Sequence, residues 1–229
     1  MNQGRHYLSL LITATLLSVG LAASTAVGQA VKPEEGTGGI CVPVAERAGR
    51  EFGCYLVATQ DIGKLTPGRA FWHLSSFPTR REAEQVRGAQ STVVESLGRV
   101  WLLSIADSAW RPAGGIHVAA IGPLPVTSGI AYTALYMEAV FRPGMKSIVH
   151  RHSGPEAWYT LAGKTCLETP GGIFVGVVGG RPVIVPAGPP MELTATGTDV
   201  RRGLVLILHD SAQPPWTPAR DWSPKGLCK

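Results

Sequence analysis

Apolar and polar residues alternate along much of this chain, in short runs broken by glycine, proline and serine. The clearest run is residues 131–141, where Tyr132, Ala134, Tyr136 and Glu138 fall on one face and Thr133, Leu135, Met137 and Ala139 on the other. That two-residue period is the signature of a β-strand. Shorter β-prone runs at residues 54–58, 70–75, 91–97, 99–105, 116–121, 156–161, 173–178, 181–185 and 204–208 predict further strands. Gly98 predicts a hairpin between the runs on either side of it, and Gly179-Gly180 predicts another joining 173–178 to 181–185. A single short helix is expected after Pro78: Thr79 is placed to cap it, Glu82 completes a capping box, and Gly88 ends it just after Arg87. The 28 glycines and 18 prolines fit an all-β chain of short strands and tight turns.

The amino end has a different pattern. Arg5 precedes an apolar run over residues 8–23, and the small residues Gly28 and Ala30 offer a cleavage point. The run falls short of the roughly 20 residues that span a bilayer, so residues 1–30 are expected to be a signal peptide that is removed. The mature protein is then periplasmic or secreted, with no membrane attachment. Residues 31–40 follow as a disordered lead. All four cysteines, Cys41, Cys54, Cys166 and Cys228, lie beyond the expected cut, and an even count in an exported chain points to disulfides. Three connectivities are open; the favoured one joins Cys41 to Cys54 and Cys166 to Cys228. Net charge is +5, with 16% of residues charged and no long Lys/Arg run, which argues against nucleic acid as a partner.

Chemistry concentrates in residues 144–163. His150 and His152 are two apart, so on a strand both imidazoles leave one face while Arg151 leaves the other. Ser153-Gly154-Pro155 then turns the chain, and Glu156 opens a run in which Glu156, Trp158 and Thr160 share a face. A hairpin of this kind brings two neutral imidazoles and a carboxylate to one point, a donor set suited to a divalent Zn, Fe, Mn, Ni or Cu ion. His73 and His117 are isolated, and both are expected to be packed or surface residues.

The spacing of Gly144, His150, His152, Glu156 and Gly163 resembles the first motif of the cupin superfamily, and Gly180, Pro186 and Gly188 resemble its second. Where the family usually has a fourth ligand, a histidine, this chain has Met191, with Glu192 next to it. The resemblance covers roughly residues 130–210. It implies a double-stranded β-helix, or jelly-roll barrel, over residues 130–212. Residues 41–129 are then extra N-terminal strands and a short helix packed on that barrel, and 213–229 a Pro-rich tail. It also implies metal on His150, His152 and Glu156, with Glu156 doubling as a catalytic proton carrier; Met191 is then either a fourth, thioether ligand or apolar packing at the barrel mouth, with Glu192 the alternative at that position. Trp158, Thr160, Tyr132 and Tyr136 are candidates to line the site. The functions implied are a metal-dependent enzyme of dioxygenase, lyase or isomerase type acting on a small organic molecule, or a barrel that binds a metal or small ligand without turnover. A homodimer is the assembly the family implies.

Overall fold

A computed structural model describes Met1 and residues 41–229; the expected signal peptide and disordered lead lie outside the described residues. A short strand and a long one come first, β1 (Val42–Pro43) running parallel to β2 (Gly53–Lys64). Then follow β3 (Phe71–Phe77), the helix α1 (Arg80–Gln85), β4 (Ser91–Ser96), β5 (Arg99–Ala106) and β6 (Ile116–Ile121). Thr79 caps α1, its hydroxyl accepting from the Glu82 amide at 3.2 Å. The β4–β5 hairpin closes through Leu97 and Gly98, both at positive φ (51° and 74°), the backbone that a tight two-residue turn requires.

The second half holds β7 (Ala131–Phe141), β8 (His150–His152), β9 (Glu156–Ala162), β10 (Lys164–Thr169), β11 (Gly172–Val177), β12 (Val183–Val185), β13 (Glu192–Thr196), β14 (Arg201–Asp210) and β15 (Trp216–Pro218). Six strands form a central sheet in the order β1-β2-β7-β14-β9-β12. One of its faces packs against the four-stranded sheet β4-β5-β3-β6, the other against the three-stranded sheet β11-β10-β13. Thus β2, which precedes residue 130, is itself a member of the barrel's main sheet.

Alternation along β7 and β14 separates the two interiors. Tyr132, Ala134 and Tyr136 with Leu204, Leu206 and Leu208 join Trp72 and Trp101 in an apolar core between the six- and four-stranded sheets. Met137, Ala139 and Phe141 with Val205 and Ile207 face the other way, into the barrel with Trp158, Leu167 and Met191. Burying both faces of the central strands is why β14 reads as a nearly continuous apolar run. The architecture is all-β, a jelly-roll barrel with extra N-terminal strands and one short helix.

Two turn expectations are corrected. The runs flanking Gly179-Gly180 do not pair with each other: β11 pairs with β10, and β12 with β9. Likewise β8 and β9 are not a hydrogen-bonded hairpin. Strand β8 pairs with β15 and bridges Met191, while β9 inserts between β14 and β12. The cause lies at Gly154, where a Cβ would stand 1.9 Å from the carbonyl oxygen of Leu208. With no side chain, the chain presses onto β14, the Leu208 amide donates to Pro155 O at 2.9 Å, and β9 enters the main sheet.

The disulfides are Cys41–Cys54 and Cys166–Cys228, the favoured connectivity. The second ties the tail to β10, and the tail's backbone amides at Lys225 and Leu227 both donate to the carboxylate of Glu168. No helix among the described residues is long and apolar enough to cross a membrane.

Candidate metal centre

The corner between β8 and β9 places the chemistry-bearing side chains inside the barrel. His150, His152 and Glu156 are all buried. His150 Nε2 lies 3.0 Å from His152 Nε2, and His152 Nε2 lies 3.6 Å from Glu156 Oε2. No group of three or more His, Cys, Asp or Glu among the described residues is disposed as a complete metal site. What converges is a pair of imidazoles with a carboxylate beside one of them.

Hydrogen bonding on the far side of each ring decides what the near side can do. His150 Nδ1 is 2.8 Å from Ile148 O, and His152 Nδ1 is 2.8 Å from Pro215 O. A carbonyl oxygen only accepts, so both Nδ1 atoms carry the proton and both Nε2 atoms present a bare lone pair when the rings are neutral. Two lone pairs therefore face each other at 3.0 Å with no hydrogen between them.

Burial keeps the rings neutral. It pushes His152 from 6.5 down to about 4, with His209 adding to the depression and the bond to Pro215 opposing it. His150 is lowered by burial and by His152, against the pull of Glu156. The contact of His152 with Glu156 is accordingly not an ion pair at neutral pH. Burial also raises Glu156, opposed by His150, Trp158 and Arg201, and its Oε2 has no hydrogen-bond partner.

Two of the separations among these atoms match those of donors sharing one divalent cation. Bonds of about 2.1 Å at ordinary coordination angles hold donor atoms roughly 3 to 3.5 Å apart, close to the two separations here. An unpaired carboxylate oxygen and two opposed lone pairs are the surplus of electron density that a cation would neutralise. The ring nitrogens bound to backbone carbonyls match the outer-shell pattern that orients histidine ligands.

Met191 and Glu192 part company. Met191 is fully buried, exchanges backbone hydrogen bonds with His150 at 3.1 and 2.9 Å, and lines the same cavity. Glu192 points away and binds Lys146 Nζ at 2.9 Å. Trp158 lines the cavity. Tyr132 and Tyr136 belong to the apolar core on the other side of the sheet.

One wall residue escaped the sequence reading. Arg201, at the start of β14, is fully buried and lines the cavity with the histidines and Glu156. Nothing in its local sequence marks it, because Arg201-Arg202 reads as an exposed charged end of a strand. The register could have found it: Arg201 is an even number of residues from Val205 and Ile207 and so shares their face.

Fold and site together give a jelly-roll barrel with a histidine-carboxylate cluster inside it. No protein-family model matches the sequence, and no curated protein matches it. Solved structures do. A cupin-like protein from Thermotoga maritima is 17% identical at a TM-score of 0.34, the match covering 38% of this chain and 64% of that one, just under two thirds of its length. A Klebsiella pneumoniae protein with a double-stranded β-helix domain is 16% identical at 0.33, covering 44% of this chain and 84% of its own. The DMSP lyase DddQ from Ruegeria pomeroyi is 21% identical at 0.33, with 44% and 48% covered. The likeness is one of fold, and the activity named for a neighbour is that neighbour's.

Proposed function

We propose that this is an exported metal-binding cupin acting on a small organic molecule, with a divalent cation held by His150, His152 and Glu156 and with Met191 beside it. The observation that carries the reading is the pair of bare Nε2 lone pairs facing each other at 3.0 Å, each fixed by a carbonyl behind its ring. A cation bound there would supply a Lewis acid that polarises a substrate oxygen or an oxidant. The two histidines hold it, and the backbone bonds to Ile148 and Pro215 keep their tautomers fixed. Glu156 is ligand and proton carrier in one. Trp158, Leu167, Leu193 and Val205 give the cavity a mainly apolar wall.

Export is supported by the two disulfides, which persist in oxidising compartments. The expected homodimer has a surface to use: on edge strand β11, Ile173, Val175 and Val177 are 40–48% exposed. A non-catalytic role in holding a metal or small ligand is favoured by one observation, a cavity of only about 50 Å³.

Elemental analysis of the purified mature protein tests the metal. About one equivalent of a transition metal is expected, and its absence after reconstitution with Fe, Mn, Ni, Cu and Zn sinks the reading. Oxygen uptake and product analysis with small carboxylates and phenols then separate turnover from storage.

A further inference from the structure

Burying a guanidinium is costly unless its N–H groups are satisfied, and Arg201 satisfies only part of its set. Nε donates to Thr165 Oγ1 at 2.8 Å and Nη1 to Ala139 O at 3.3 Å, while Nη2, equally buried, has no partner. The side chain is oriented, not loose: its Cζ lies 5.7 Å from the centre of the Phe141 ring and 5.9 Å from that of Trp158, both lining the cavity. Gly203, two residues on along the same face, leaves room for it. A Cβ there would meet Tyr159 O at 2.6 Å and stand 3.5 Å from Nη2.

The cavity therefore holds three buried groups without a hydrogen-bond partner, Arg201 Nη2, Glu156 Oε2 and Trp158 Nε1, the first two of opposite charge. Those two influence each other electrostatically but do not bond to one another. A cation on the histidine-glutamate cluster would account for the carboxylate oxygen and leave the guanidinium unanswered. One divalent ion and one guanidinium against one carboxylate leave a largely buried pocket with two positive charges in excess. Only an anion meets both demands, by accepting from Nη2 and reducing the excess.

We propose that Arg201 anchors the anionic end of the ligand: a small planar oxyanion, with a carboxylate as the type, bound in the same cavity as His150, His152 and Glu156. The inference rests on the metal-binding reading of that cluster and names the ligand class it takes. Size narrows the class further. The cavity is about 50 Å³ and a water fills about 10 to 15 Å³ of such space, so there is room for a few water-sized groups: a one-carbon oxyanion fits and an aromatic acid does not.

The test is calorimetric titration of reconstituted protein, its metal content first measured, with sodium formate and with sodium benzoate in chloride-free buffer. Formate should bind at least about tenfold more tightly than benzoate. Arg201→Gln should keep its metal stoichiometry and lose at least about tenfold in formate affinity, the range for losing a charge-assisted hydrogen bond. Thr165→Val, which removes the acceptor for Nε and keeps the charge, should weaken formate by a smaller factor, and it carries the test should Arg201→Gln fail to fold. Unchanged formate affinity in a folded, metal-replete Arg201→Gln or Thr165→Val protein overturns the proposal, as does benzoate binding as tightly as formate. If the wild type takes up no metal, the metal reading fails by itself. Formate titration of that metal-free protein then judges the anchor, upheld by binding that Arg201→Gln abolishes and overturned by no binding.

Discussion

Two pairs of histidines sit in this molecule at nearly the same spacing, and they are chemically unlike. In the four-stranded sheet His73 Nδ1 lies 3.3 Å from His117 Nε2, and in the barrel His150 Nε2 lies 3.0 Å from His152 Nε2. His73 gives its Nε2 proton to Asp107 O at 2.8 Å, which leaves Nδ1 as an acceptor, and His117 supplies the hydrogen that fills the gap. The first pair is a closed hydrogen-bond chain. In the second, both protons are spent on backbone carbonyls on the outer side of the rings, and nothing is left to place between them. Proximity does not distinguish a structural pair from a candidate ligand pair; the direction of the protons does.

The largest expected effect breaks the barrel pair. A His150→Ala/His152→Ala variant should fall below about a tenth of an equivalent of bound metal by elemental analysis, since most of the donor set is gone. His73→Ala, by contrast, should keep its metal and lose about 2 to 4 kcal/mol of stability in urea, from the cavity it leaves and the partners it strands. If His73→Ala also empties the protein of metal, the direction of the protons does not separate the two pairs.

Acid acts on both pairs through the same linkage. His152 is depressed from 6.5 to about 4 in the folded protein, so as pH falls the unfolded chain takes up the proton first. Stability present above about pH 6.5 is lost progressively down to about pH 4, at most about 3 kcal/mol for this one ring in the metal-free protein. An ordinary imidazole would release metal near pH 6. Burial moves that threshold, so occupancy measured after dialysis should hold at pH 5 and collapse around pH 4. Full occupancy at pH 3 would rule out imidazole ligation.

A smaller effect reaches the site from a distance. Pro215 O, which fixes the His152 tautomer, precedes β15, in the tail that Cys228 ties to Cys166. Opening that bridge with Cys166→Ser/Cys228→Ser should loosen the carbonyl and weaken metal binding about tenfold, the scale of losing an outer-shell contact. The His73–His117 pair has no tie to the tail. Competition with a chromophoric chelator would measure the change, and an unchanged affinity would mean that β15 holds its place by its pairing with β8 alone.

Much of this was legible beforehand, for reasons that particular residues make plain. Strand β7 is long and alternates cleanly, so both of its faces could be read, and Thr79 with Glu82 announced the helix. His150, His152 and Glu156 lie within seven residues, close enough for spacing to speak for them. Strands β10, β13 and β15 were not foreseen, because they are short, partly polar, and take their stability from partners far along the chain. The corner at Gly154 looked like a hairpin turn because sequence cannot show that β14 lies against it. Arg201 was hidden by its charge: an arginine next to another arginine reads as surface, and only the register of a buried strand says otherwise.

The smallest effects separate two adjacent residues and sharpen what counts as part of the site. Met191 faces the histidines, and Glu192 faces Lys146. Methionine to leucine nearly conserves volume, so Met191→Leu should cost less than about 1.5 kcal/mol, and the side chain's position beside His150 suggests where its effect will appear. A thioether favours soft ions, so the variant should bind Cu(I) a few-fold more weakly while its affinity for Mn(II), a hard ion, stays as in the wild type. Glu192→Gln should change neither affinity and should lower stability by under about 1 kcal/mol, the scale of an exposed ion pair. Parallel competition titrations with the two ions read both variants at once. Equal losses for Cu(I) and Mn(II) in Met191→Leu would assign the methionine to packing, and any loss of Mn(II) in Glu192→Gln would bring its carboxylate into the site in place of the sulfur.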